Sequence, residues 1–102
     1  MVDFARVVST VGTTATTGTD WLQLKGCNAD QRNFFDISVV FTGTGTVQLQ
    51  RKHPSEADGA ARVIESYTAD TEKIGEIATR WQVRLIVTAH GGSGDIVLEL
   101  TQ

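Results

Sequence analysis

The chain has 102 residues, a net charge of −3 and a hydrophobic fraction of 40%. That length fits one domain with one modest core and leaves no room for a second. The mild acidity argues against a nucleic-acid backbone as partner, because such binding calls for a basic patch, and the nearest approach to one, Arg51-Lys52-His53, reads as a solvated strand end.

The opening "MVDFARVVST" has no basic segment followed by a long apolar one, so no signal peptide is expected. No apolar run approaches the roughly 20 residues that a membrane helix needs, so a soluble protein with no membrane partner is expected. Residues 4–11 read as a first strand, and 12–19, "GTTATTGT", as a polar loop or weak edge segment. Together, 1–19 fit either an arm that orders on contact or a plain edge strand and loop. "DWLQLKG" is a short strand around Trp21, Leu22 and Leu24, and "CNADQRN" a polar connection. Cys27 is the only cysteine, which forbids an intrachain disulfide and is consistent with assembly in a reducing cytoplasm.

Residues 33–42 carry the strongest strand pattern: Phe35, Ile37, Val39 and Phe41 share one face, with Asp36 and Ser38 on the other. "TGTG" then turns the chain, and Val47 and Leu49 point inward on the return strand. Gly43 and Gly45 supply the positive φ of a tight hairpin turn. Residues 53–60 form a loop from Pro54 to Asp58-Gly59. "RVIESYT" is a strand through Val63 and Tyr67. "ADTEKIGEIA" fits one helical turn through Ile74 and Ile77 or a strand bulged at Gly75, and strand is preferred. "RWQVRLIVTA" puts Trp81, Val83, Leu85 and Val87 on one face, with Ile86 an apolar exception on the other. "HGGSG" turns it, and "DIVLELTQ" pairs back with Ile96, Leu98 and Leu100 inward. The expected fold is all-β: an antiparallel two-sheet β-sandwich or jelly-roll-like domain of seven or eight short strands.

No constellation for chemistry stands out. His53 and His90 both fall in predicted loops, and no nucleophile elbow accompanies them. Three Cys and His residues in total are too few for structural zinc. The glycine-rich "GTGT" and "HGGSG" lack a following helix and a phosphate-binding lysine. Asp36, Glu65 and Glu99 are strand carboxylates expected opposite the core, hence solvated. No enzyme activity, cofactor or metal is expected. Trp21 is the candidate for an exposed sugar-stacking ring, whereas Trp81 is in phase with the core.

From "DISVVFTGTGTVQLQRK" through the Asp58-Gly59 turn and "VIESYTAD" to "EKIGEIATRWQVRLIVTAHGGSGDIVLELTQ", residues 33–102 resemble small β-sandwich virion components of tailed bacteriophages. These include capsid decoration (cement) proteins and neck or tail accessory proteins. The chain departs from them after Asp58-Gly59, where no aromatic residue follows. The resemblance implies a structural protein of the virion, assembled in the host cytoplasm and seated on the capsid surface. Its partner would be the major capsid protein, with neck or tail proteins as the alternative, and a homotrimer is implied. A carbohydrate or host-surface binding module is the remaining alternative. The contact candidates are Phe4, Val7, Thr42, Gly43, Thr44, Gly45, His90, Gly91 and Gly92.

Overall fold

The computed structural model describes residues 6–11, 18–24, 32–78, 81–91 and 95–102. Eight strands follow in chain order: β1 (Arg6–Val11), β2 (Leu22–Gln23), β3 (Arg32–Phe41), β4 (Thr44–Lys52), β5 (Arg62–Tyr67), β6 (Thr71–Ala78), β7 (Gln82–Gly91) and β8 (Ile96–Thr101). One 3-10 turn, Asp58–Ala60, lies between β4 and β5. The strands form two antiparallel sheets, ordered β1-β8-β3-β6 and β2-β7-β4-β5. The all-β sandwich expected from the sequence is the fold of this chain.

The order has a simple origin. β1 pairs with β8, β2 with β7, β3 with β6 and β4 with β5. The chain is therefore one long hairpin closed at β4–β5. Rolling that hairpin up adds the pairs β3–β8 and β4–β7. This is the strand order of an eight-stranded jelly roll. Six of the seven connections cross from one sheet to the other, and only β4–β5 stays within a sheet.

Two expectations are corrected by this topology. The segments β3–β4 and β7–β8 are not hairpins, because in each case the two strands lie in different sheets. Each is a corner that carries the chain over the end of the sandwich. The alternation looks the same in both cases, since a strand that changes sheets still turns its apolar face to the same core. "ADTEKIGEIA" is also not bulged: β6 pairs with β3 in an unbroken register from Arg32↔Ala78 to Val39↔Thr71.

The core lies between the sheets. Val39, Val47, Val83, Leu85, Val87, Ile96, Leu98 and Leu100 are fully buried, and Leu22, Leu24, Phe35, Ile37, Leu49, Tyr67 and Ile77 nearly so. Each such side chain contributes roughly 1.5–3 kcal/mol by leaving water. Phe41 and Trp81 pack against this cluster from its margins. Gly75 faces Phe35 across the β3–β6 pair, and a Cβ there would lie 2.5 Å from the ring. The aromatic ring covers the glycine, which explains the interruption that a bulge had been invoked to explain.

Ile86, the apolar exception on β7, is covered by the chain before β2. Gly18 bridges to Ile86, Thr19 N–H donates to the Leu85 carbonyl at 2.9 Å, and Leu85 N–H donates back to Thr19 Oγ1 at 3.1 Å. Residues 6–11 of the N-terminal segment form an edge strand along the whole of β8. Phe4 and Gly92 lie outside the described residues, as do 12–17 and the connection 25–31.

Candidate docking surface

The two corners lie side by side and bring most of the sequence-predicted contact residues together. Thr44 pairs with Gly91 and Gly45 with His90, so these four are strand ends rather than loop residues. Thr42 N–H donates to the Asp95 carbonyl at 3.1 Å, tying the first corner to the second. Gly43 has φ 115°, the left-handed region that a side chain disfavours. Gly45 does not, and is small for another reason. A Cβ at Gly45 would stand 2.6 Å from the Ala89 carbonyl oxygen and 2.9 Å from Ile96 Cδ1. The β7 backbone of the same sheet and the Ile96 side chain of the opposite sheet close on Gly45 there as the chain crosses over. Val7 belongs to β1, on the far side of β8 from this corner's own strand β3.

Sequence reasoning did not anticipate the apolar residues on the outer face of the first sheet. Val40 and Val97 are directly opposed on β3 and β8, and both are exposed. They sit one step from the Thr42–Asp95 tie, next to the corner. Farther along the same face, Phe34 is 62% exposed and Ile74 64%. Their signal was present in the sequence: Phe34 and Val40 are apolar at positions where β3's period should give polar residues, as Asp36 and Ser38 do.

The opposite end of the sandwich is built differently. Trp81 closes the core there, with His53 stacked on it at 3.9 Å and the Arg51 guanidinium 4.4 Å from its ring centre. On the outer face of the second sheet, Trp21 lies under Arg84 at 4.5 Å and Lys52 at 5.0 Å. Trp21 Nε1–H donates to Asp58 Oδ1 at 3.1 Å, and Lys52 Nζ reaches the same oxygen at 3.2 Å. Lys52 also donates to the Glu56 carbonyl at 2.9 Å. The Lys52 hydrogen bond is the main reason Asp58 is held below its ordinary carboxylate range, and the His53 N–H does the same for Glu56.

Arg51-Lys52-His53 is therefore an internally partnered cluster in place of the expected solvated strand end, with Lys52 only 7% exposed. β4's alternation sends Arg51 to Trp81 on one side and Lys52 to Trp21 on the other. Trp21 is half-buried and carries two cations, so it does not present the open ring that a sugar platform requires.

Between the free edges of β5 and β6 lies an open cleft of about 590 Å³, lined by both apolar and charged side chains. Lys73 on β6 bridges to Glu65 on β5 at 2.9 Å, and Tyr67 O–H donates to the same carboxylate at 2.7 Å. These contacts hold the Glu65 carboxyl below its ordinary range, the lysine being the larger cause. Burial, then the hydrogen bond to Glu65, pushes the Tyr67 phenol far up. Glu65 thus shares the side of Tyr67, contrary to the expectation that it lies opposite the core, while its side chain stays 41% exposed. A register shift between Leu49 and Gln50 leaves Val63, an expected core residue, 50% exposed.

Asp36 and Glu99 lie on the outer face of the first sheet, away from Glu65. Among the described residues no group of three or more His, Cys, Asp and Glu side chains is placed to hold a metal ion. Comparison with protein-family models and with curated proteins finds no match for the chain.

Proposed function

We propose that this chain is a structural component of a tailed-phage virion, a head decoration protein that cements the shell by bridging capsid subunits. The observation that carries the reading is the corner end of the jelly roll. There an exposed apolar pair, Val40 and Val97, stands beside the cross-tied strand ends Thr42–Gly45 and His90–Gly91. An apolar centre rimmed by backbone and hydroxyl groups suits docking onto another protein, with burial supplying affinity and the polar rim fixing register. The resemblance of residues 33–102 to virion accessory proteins names the partner as the major capsid protein. Fold alone does not, since jelly rolls serve many roles.

Co-sedimentation of the purified protein with expanded, undecorated heads of its source phage tests this. Saturable binding that raises the heat resistance of the heads, lost in Val40→Glu, is the expected result. Absence of binding to heads would refute cementing, and binding to necks or tails instead would place the protein there.

A further inference from the structure

The open side of the sandwich carries its own instruction for assembly. β5 and β6 are the terminal strands of the two sheets on that side, so each offers a row of backbone N–H and C=O groups with no strand beside it among the described residues. Exposed edges of this kind are templates for another strand. We infer that the occupant is a second copy of this chain, related by a two-fold axis running along the strands midway between the sheets.

Such an axis exchanges the two sheets and keeps height along the strands. It sets β5 of one copy beside β6 of the other, antiparallel, and β6 beside β5 in the same step. Both edges are used at once, and each four-stranded sheet continues into its partner's. An isologous contact of this type closes on itself.

Side-chain complementarity across that contact can be read from one copy. The Lys73–Glu65 bridge, at 2.9 Å, fixes the relative height of β6 and β5. Glu65 therefore comes level with the partner's Lys73, and the two bridges merge into a ring of four alternating charges. The residue skipped by the β5 register is Ile64, so the next level on β5 is Val63. It meets the partner's Ile74, the next level on β6. These two, 50% and 64% exposed, are among the most exposed large apolar residues described. Phe34, on β3 and diagonal to Ile74, adds a further exposed apolar side chain to the same face. Without the β5 bulge, the exposed Val63 and Ile74 would be out of step.

The competing arrangement is disfavoured by charge. Pairing β6 with β6 about Ile74 would place Glu72 opposite the partner's Glu76 twice, and directly opposed like charges destabilise a ladder. The inferred unit is a two-fold pair, in contrast to the trimer implied by resemblance, and it holds whether or not the protein docks on a capsid.

Sedimentation velocity on the full chain tests the arrangement. Wild type is expected to form dimers. Ile74→Lys, at an exposed position that leaves the core untouched, should raise the dissociation constant at least about tenfold. Glu65→Lys and Lys73→Glu should each be monomeric, because every cross-copy contact then opposes like charges. An equal mixture of the two should form dimers again, since one contact then joins the two native charges and the other the two introduced charges, each of opposite sign. Hydrogen exchange should show β5 and β6 amides gaining protection as concentration rises. A wild-type monomer up to roughly 1 mM chain, a trimer or larger ring, or a dimer indifferent to Ile74→Lys would each overturn the inference.

Discussion

Replacing Gly45 with alanine separates the crossing corner from the hairpin that the local sequence suggests. In a hairpin turn, Gly45 would be a solvent-facing residue with room for a methyl group. In the corner, its Cβ would stand 2.6 Å from the Ala89 carbonyl oxygen and 2.9 Å from Ile96 Cδ1. The first contact is with backbone fixed by the β4–β7 ladder, so it cannot be relieved by a rotamer change. Overpacking of this kind costs about 1–3 kcal/mol. The lower conformational entropy of the alanine chain returns roughly 0.5–1 kcal/mol. A net loss of up to about 2.5 kcal/mol follows, centred near 1 kcal/mol, and each kcal/mol corresponds to about 4–8 °C in Tm for a domain of this size. Urea and thermal unfolding measure it. Repeating the substitution in an Ile96→Val background, which deletes Cδ1, should reduce the loss without abolishing it. Gly59→Ala is the control: nothing lies within 4 Å of its Cβ position, and a gain of about 0.4–1 kcal/mol is expected where the backbone is compatible. A Gly45→Ala variant as stable as wild type, or losses strictly additive with Ile96→Val, would refute the packing of Gly45 against Ala89 and Ile96 at this corner.

Gly75→Ala should destabilise by roughly 1–3 kcal/mol, because it displaces the Phe35 ring, and the loss should vanish in a Phe35→Ala background, as a double-mutant cycle of unfolding free energies would show. Leu98→Ala, fully buried in β8, should cost about 2–5 kcal/mol by the same assay. Glu65 is held below its ordinary value of 4.5 by Lys73 and Tyr67. Its folded form therefore binds its proton less readily than the unfolded chain does. The resulting stabilisation is complete above that ordinary value and is lost as pH falls through the depressed folded value. Denaturant midpoints between pH 6 and pH 3 should fall less steeply for Glu65→Gln than for wild type.

Strand positions were legible because period-two alternation reports burial directly. Ile96, Leu98 and Leu100 alternate with polar or exposed residues, Val83, Leu85 and Val87 do so but for the half-buried Ile86, and all six are fully buried. Pairing was not legible. Strand, glycine turn and strand make the same local pattern in a hairpin and in a corner, and what decides between them is a partner far away in sequence, such as Phe41 with Ile96. The bulge at Ile64 was hidden for the same reason, since a register shift is a property of two strands.

The docking surface was half visible. Thr42, Gly43, Thr44, Gly45, His90 and Gly91 were marked by glycine and hydroxyl content, and the double corner gathers them. Val40 and Val97 were overlooked because contact residues were sought among glycine and hydroxyl turns, although strand parity already set both valines outside the core. The charged residues at 51–53 were misjudged because partners elsewhere in the sequence, Trp21, Asp58 and Trp81 among them, neutralise or cover them.

The most direct test of the docking proposal is an electron cryomicroscopy reconstruction of expanded heads incubated with the purified protein. The jelly roll should appear on the outer shell at subunit junctions, with the corner holding Val40, Thr42–Gly45, His90 and Val97 turned toward the capsid. A bare shell, or density at the neck alone, would contradict it.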